Sequence, residues 1–174
     1  MKPTLLVLCG VPYSGKTTLR KRILNSPLLK RSVTVLSTDD LLLQWAKNNN
    51  CSYEEAYHVA KDAAKIHMLG QMHEAVRWRQ DIIFDRTNYN STQRSEVLRA
   101  TDNLYTRIAV VCEVPKEILL ERSKGRNRQA VPTEKIDQFI EAWEPPTETE
   151  GFDAVLSAAE VLTTIEGLEQ NRAA

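Results

Sequence analysis

Short apolar runs alternate with longer amphipathic stretches along this chain. Residues 4–9, TLLVLC, are continuously apolar and end at Gly10, the pattern of a strand buried on both faces of a parallel sheet. Further strands are predicted over 33–36, 81–85 and 106–114, with a fifth at the sheet edge over 152–156. Between them the pattern takes the helical period. One helix is expected over 16–25, stopped by Ser26-Pro27, and another over 41–47, broken by Asn48-Asn49-Asn50. Ser52 with Glu55 three residues on makes a capping box. Ala56, Val59, Ala60, Ala63, Ile66, Leu69, Met72 and Val76 then recur at helical spacing, predicting a long amphipathic helix to about Arg79. Asn90 with Gln93 caps a helix to about Ala100, and Pro115 suits the first turn of the next. Pro132 opens one that presents Ile136, Phe139, Ile140 and Trp143 on one face until Pro145-Pro146 stops it. The tail, 157–174, reads as helical or frayed.

Strands alternating with helices at this interval predict an α/β fold: a three-layer arrangement around a mostly parallel five-stranded sheet with right-handed crossovers. The 174 residues suit one domain over 1–174, large enough to bury a core without disulfides or metal staples. Lys plus Arg and Asp plus Glu both number 23, which argues against a uniformly basic surface for indiscriminate polyanion or membrane binding. The charge is uneven, however. Lys116, Arg122, Lys124, Arg126 and Arg128 cluster just before a stretch from Thr133 onward that carries ten acids against two bases, so any polyanion site is local. Three cysteines, Cys9, Cys51 and Cys112, lack metal-ligand spacing and an even count, and are expected to be reduced. Without a charged leader, or about 18 consecutive apolar residues, the expectation is an intracellular protein with no membrane partner. Asn90-Ser91-Thr92 matches a glycosylation pattern that needs a secretory route for which nothing else argues.

The chemistry starts at Gly10-Val11-Pro12-Tyr13-Ser14-Gly15-Lys16-Thr17, which fits G-x-x-x-x-G-K-[ST] between a buried strand and a helix. In such a P-loop the glycines let the backbone curl so that successive N–H groups and the helix N-terminus point at phosphate oxygens. Lys16 adds a positive charge near the transferred group, and the Thr17 hydroxyl can bind Mg²⁺. Nucleotide contacts are therefore expected from Gly10, Pro12, Tyr13, Ser14, Gly15, Lys16, Thr17 and Thr18, with Tyr13 shielding the phosphates. Asp39 and Asp40 follow the second strand, at the rim where open α/β sheets bind ligands. One is expected to act as general base or metal partner, with Asp39 preferred, and the other to cap the following helix. Asp85 closes the third strand as a second Mg²⁺ partner through water, or as a turn acid in Asp85-Arg86-Thr87-Asn88. The basic run is either a solvated face or an arginine loop that closes over the donor phosphates, a lid at about 122–131 with Arg126 best placed. His58, His67 and His73 share the long helix without ligand partners, and Trp45, Trp78 and Trp143 read as packing.

GVPYSGKT, STDD, DRTN, the basic run with Ala130-Val131-Pro132, and Glu144-Pro145-Pro146 followed by Glu150-Gly151-Phe152 resemble the polynucleotide kinase family of P-loop kinases, in its small single-domain phage form. The resemblance covers about residues 4–156. It implies that Asp39 takes the proton from the acceptor hydroxyl, that Lys16 and Thr17 hold the β and γ phosphates of ATP and Mg²⁺, and that Arg126, with Arg122 beside it, contacts the donor. Asp40, Leu42, Thr87 and Asn88 are then expected around a nucleic-acid acceptor. Where the family carries an acceptor-holding arginine three residues after its catalytic acid, this chain has Leu42. Two acceptors follow: a 5′-hydroxyl end of DNA or RNA, or the hydroxymethyl group of modified pyrimidines (5-hydroxymethyluracil) within DNA. A nucleoside or small-metabolite kinase and a nucleotide-dependent switch are the remaining readings.

Overall fold

The computed structural model describes residues 2–29, 31–124 and 133–173. Five strands, β1 (Thr4–Cys9), β2 (Val33–Leu36), β3 (Asp81–Asp85), β4 (Thr106–Val111) and β5 (Ala154–Ser157), form one sheet in the order β2-β3-β1-β4-β5, with every neighbouring pair parallel. The sheet is thus wholly parallel. β1 lies at its centre, and its residues alternate between two cores. Leu5, Val7 and Cys9 pack with Leu36, Phe84, Met68 and Met72, while Leu6 and Leu8 pack with Leu19, Ile23, Val110, Val161 and Ile165. Helices α3 (Tyr53–Arg77) and α4 (Ser91–Thr101) cover the first face, and α1 (Lys16–Leu24) and α7 (Ala158–Ala173) the second. The tail is therefore a docked helix. Its start is fixed by Ser157 and Glu160, each hydrogen-bonded to the other's backbone N–H.

Three elements differ from expectation for local reasons. Helix α2 spans Thr38–Asn48 and begins three residues before Leu41, because the Ser37 side chain accepts from the Asp40 backbone N–H and caps it. β4 stops at Val111. Beyond it Cys112 still donates to the Cys9 carbonyl, but Pro115 has no N–H to continue a ladder, and α5 (Lys116–Lys124) starts there. In α3 the capping box forms as predicted, yet the buried face is Ala56, Ala60, Ala64, Met68, Met72 and Ala75. Val59 and Ile66 stay 72% and 71% exposed. Small residues spaced by four let α2 approach closely, so that Leu42 seats against Ala60 and Ala64.

A buried ion pair joins distant segments. Arg94 of α4, with no exposed surface, makes two 2.7 Å bonds to Glu150 and donates to the carbonyls of Asn88 and Glu144. Helix α6 (Thr133–Glu141) buries Ile136 and sets Phe139 edge-on to Tyr89 at 5.1 Å.

Candidate active site

The loop after β1 owes its shape to two glycines. Gly10 has φ +151°, and a Cβ there would lie 2.4 Å from the Cys112 carbonyl oxygen, so no other residue fits. Gly15, at φ +102°, precedes the first turn of α1. Tyr13 also has positive φ, 68°, which is uncommon for a side chain of its size. Lys16 is buried, and its amine donates to the carbonyls of Gly10 at 2.6 Å and Val11 at 2.8 Å. Burial lowers its pKa, against the pull of the Asp85 and Asp39 charges. Thr17 is half-buried at the helix start and Thr18 is exposed. From α5, Arg122 reaches back and donates to the Tyr13 carbonyl at 3.0 Å, which brings this predicted nucleotide contact onto the loop. Pro12 and Ser14 lie within the curl. Arg126 falls outside the described residues.

The acids at the ends of β2 and β3 face this loop. Asp39 is exposed in the first turn of α2 and accepts a 2.8 Å hydrogen bond from the Tyr53 hydroxyl at the start of α3. That hydroxyl is held protonated, because burial first and the Asp39 charge second push its pKa far up. Asp40 does not cap its helix, a role taken by Ser37. It pairs with Arg20 of α1 at 2.7 Å, and the same guanidinium meets Asp85 at 2.9 Å. Burial raises the Asp85 pKa, and Arg20 and then Lys16 oppose the rise. Arg20 and Tyr53 are the two residues that the sequence patterns missed. Both touch the acids from neighbouring helices, and a lone arginine on an amphipathic helix carries no local signal of that contact.

Two expected acceptor contacts are corrected. Leu42 is 2% exposed and packed between α2 and α3, so it presents no surface to a substrate. Asn88 has no exposed surface: its amide donates to the carbonyls of Leu8 and Phe84, tying β1 to β3 beneath the loop. Thr87 keeps partial exposure, and its carbonyl accepts from the Gly10 N–H at 3.1 Å. The thiols of Cys9 and Cys112 are free and pushed up by burial to about 12 and about 11, so neither is a nucleophile near neutral pH.

Two expected outcomes test these placements. Leu42→Arg puts a charge into a closed helix interface and should cost about 3 kcal/mol or more, read as a lowered urea midpoint. An unchanged midpoint would show that position 42 reaches solvent. Arg20→Met leaves Asp85 without its guanidinium partner and should cost about 3 kcal/mol. Adding Asp85→Asn should recover part of that loss, whereas strict additivity in the double-mutant cycle would mean that the pair is not coupled.

A buried lysine inside a glycine curl between parallel strand and helix, with carboxylates at the ends of the next two strands, defines a P-loop kinase domain. The chain belongs to the AAA domain family, whose model matches residues 5–146. It is 24% identical over 178 residues to the L-seryl-tRNA(Sec) kinase of Methanococcus maripaludis, an alignment covering 97% of this chain and 67% of that protein. Among solved structures, it is similar in fold to a protein of Chloroflexus aurantiacus J-10-fl provisionally called a kinase, with TM-score 0.67, 15% identity and 97% and 99% of the two chains covered. It also resembles a chain of the Pnkp1/Rnl/Hen1 RNA repair complex, with TM-score 0.62, 20% identity and 81% and 44% covered. Among the described residues, no helix is long and apolar enough to cross a membrane.

Proposed function

We propose that the chain is an ATP-dependent kinase that transfers the γ-phosphate to a hydroxyl of a nucleic acid, the 5′-hydroxyl end of DNA or RNA in first place. The observation that carries this reading is Asp39: an exposed carboxylate, steadied by Tyr53, on the rim beside the buried Lys16. The similarity to a kinase of a seryl-tRNA and to a chain of an RNA repair complex supports an acceptor that is, or is carried on, a nucleic acid.

The residues fit a nucleoside triphosphate with Mg²⁺. The Gly10 position has no room for a Cβ, and the curl it permits turns backbone N–H groups and the α1 N-terminus toward a phosphate chain. Thr17 and Asp85 offer oxygen ligands of the kind Mg²⁺ takes. When bound, the ion would neutralise charge on the transferred group. Asp39 takes the proton from the acceptor hydroxyl as its oxygen bonds to the γ-phosphorus, and the bond to the ADP oxygen breaks with its electron pair leaving on ADP. Lys16 and Arg122 offset the charge on the donor phosphates.

Incubation with labelled ATP and a panel of 5′-hydroxyl DNA, 5′-hydroxyl RNA, hydroxymethylated duplex and free nucleosides tests the reading. Label on the oligonucleotide ends is expected. Label on the hydroxymethyl groups of duplex DNA alone would move the acceptor to a modified pyrimidine.

A further inference from the structure

The first turns of α3 carry an aromatic and cationic row that the phosphate loop does not use. Residues four apart share one ridge of a helix, which sets Tyr53, Tyr57, Lys61 and Lys65 in line along α3. The row starts at the active site, because the Tyr53 hydroxyl is the group that bonds Asp39 at 2.8 Å. The Tyr57 ring follows, its centroid 6.4 Å from that of Tyr53, and the Lys61 amine lies over it at 5.7 Å. His58 meets the same ring edge-on at 6.0 Å. Tyr57 nevertheless keeps 46% of its surface exposed, and Lys61 has no carboxylate partner among the described residues. The far end of the row turns back to the sheet rim. There Lys65, at 3.8 Å, shares the Glu96 carboxylate with Arg86, at 3.5 Å, the residue that follows Asp85. Two cations on one acid leave positive charge at that end.

The aromatic ring, more than the charge, selects the ligand. Glu54 and Asp62 stand on the same turns of α3, so cations alone would hold a polyanion only weakly there. An exposed ring beside an ammonium group on a flexible stem matches the alternation of flat bases and phosphates along a single strand, with a base on the ring and a phosphate on the amine. A duplex offers no such match, since each of its bases is covered by its neighbours. Tyr57 also lies beyond Tyr53 as seen from Asp39, so a ligand that touches both Asp39 and Tyr57 is longer than the group that supplies the hydroxyl. We propose that this ridge of α3 is the track of the acceptor strand beyond its reacting nucleotide: Tyr57 stacks a base, Lys61 takes a phosphate, and the site thereby selects single-stranded 5′ ends. The inference rests on the kinase reading above.

Two measurements test it separately from that reading. In the first, kcat/KM is compared for a 5′-hydroxyl hexanucleotide and a nucleoside 3′-monophosphate. The wild type should favour the hexanucleotide, and Tyr57→Ala should shrink that ratio about fivefold or more, as for the loss of one stacked base. Tyr57→Phe keeps the ring and should preserve the ratio. An unchanged ratio in Tyr57→Ala, or an equal loss on both acceptors, would overturn the proposal, the latter by showing that Tyr57 acts only through Tyr53 and Asp39. In the second, binding of fluorescein-labelled oligo(dT) is followed by anisotropy without ATP. Tyr57→Ala should weaken it about fivefold or more. Lys61→Gln should lower the slope of log affinity against log salt by about 0.7, one single-strand phosphate contact. A blunt duplex should compete poorly, and competition as strong as that of the single strand overturns the selectivity. Binding that ignores both substitutions overturns the track whatever the transfer panel shows. Binding that depends on Tyr57, with no label reaching any 5′ end, would instead keep the track and overturn the kinase reading.

Discussion

Lys16→Ala is expected to reduce phosphoryl transfer by about 10³-fold or more, because removing a preorganised positive group from a buried phosphate site forfeits stabilisation where the transition-state charge lies. The Lys16 amine also bonds the Gly10 and Val11 carbonyls, so the variant loses two loop contacts as well as a charge. A stability loss of about 1–3 kcal/mol should accompany the change, since those carbonyls lose a buried partner. Lys16→Met keeps the aliphatic stem, so it removes the charge and the same two hydrogen bonds without emptying the space the side chain fills. Both variants should melt cooperatively and both should be inactive in single-turnover assays with labelled ATP. Normal turnover in a folded Lys16→Met chain would remove the basis for calling this loop catalytic.

Asp39→Asn should lower the rate of transfer by about 10²-fold or more, with KM for ATP nearly unchanged. The amide keeps the size of the carboxylate and can still accept from Tyr53, but it cannot take up the acceptor proton. Near-normal turnover would shift the base to another acid, and Asp40 and Asp85 are poor replacements because Arg20 engages both.

Much of this fold could be read from local pattern. The apolar runs of β1 and β3 are short, continuous and closed by Gly10 and by Asp85, so burial on two faces and the position of the phosphate loop followed directly. The buried face of α3 did not. Val59 and Ile66 lie beside the alanine row, and periodicity ranks bulky apolar residues above small ones, whereas close helix packing reverses that order. The acceptor side is obscured in the sequence for a related reason. Position 42 follows Asp39 by one turn but lies about 60° round the helix, enough to rotate it from the rim into the α2–α3 interface. Asn88 stands next to a partly exposed residue in sequence, yet its left-handed backbone, φ 50°, turns the amide under the loop. Arg20 became visible only when three elements met in space.

The ion pair between Arg94 and Glu150 sets the length of chain that can stand alone. Its carboxylate lies beyond residue 146, where the match to the family model ends. A fragment cut at that boundary would keep every residue of the phosphate loop and every acid at the rim. It would also strand a guanidinium with no exposed surface, at a cost of about 3–5 kcal/mol. That guanidinium holds the Asn88 carbonyl, the Asn88 amide holds Leu8, and two residues later the chain turns at Gly10. The span matched by the family model is therefore shorter than the unit of folding, and the floor of the phosphate loop is secured by residues that take no part in its chemistry.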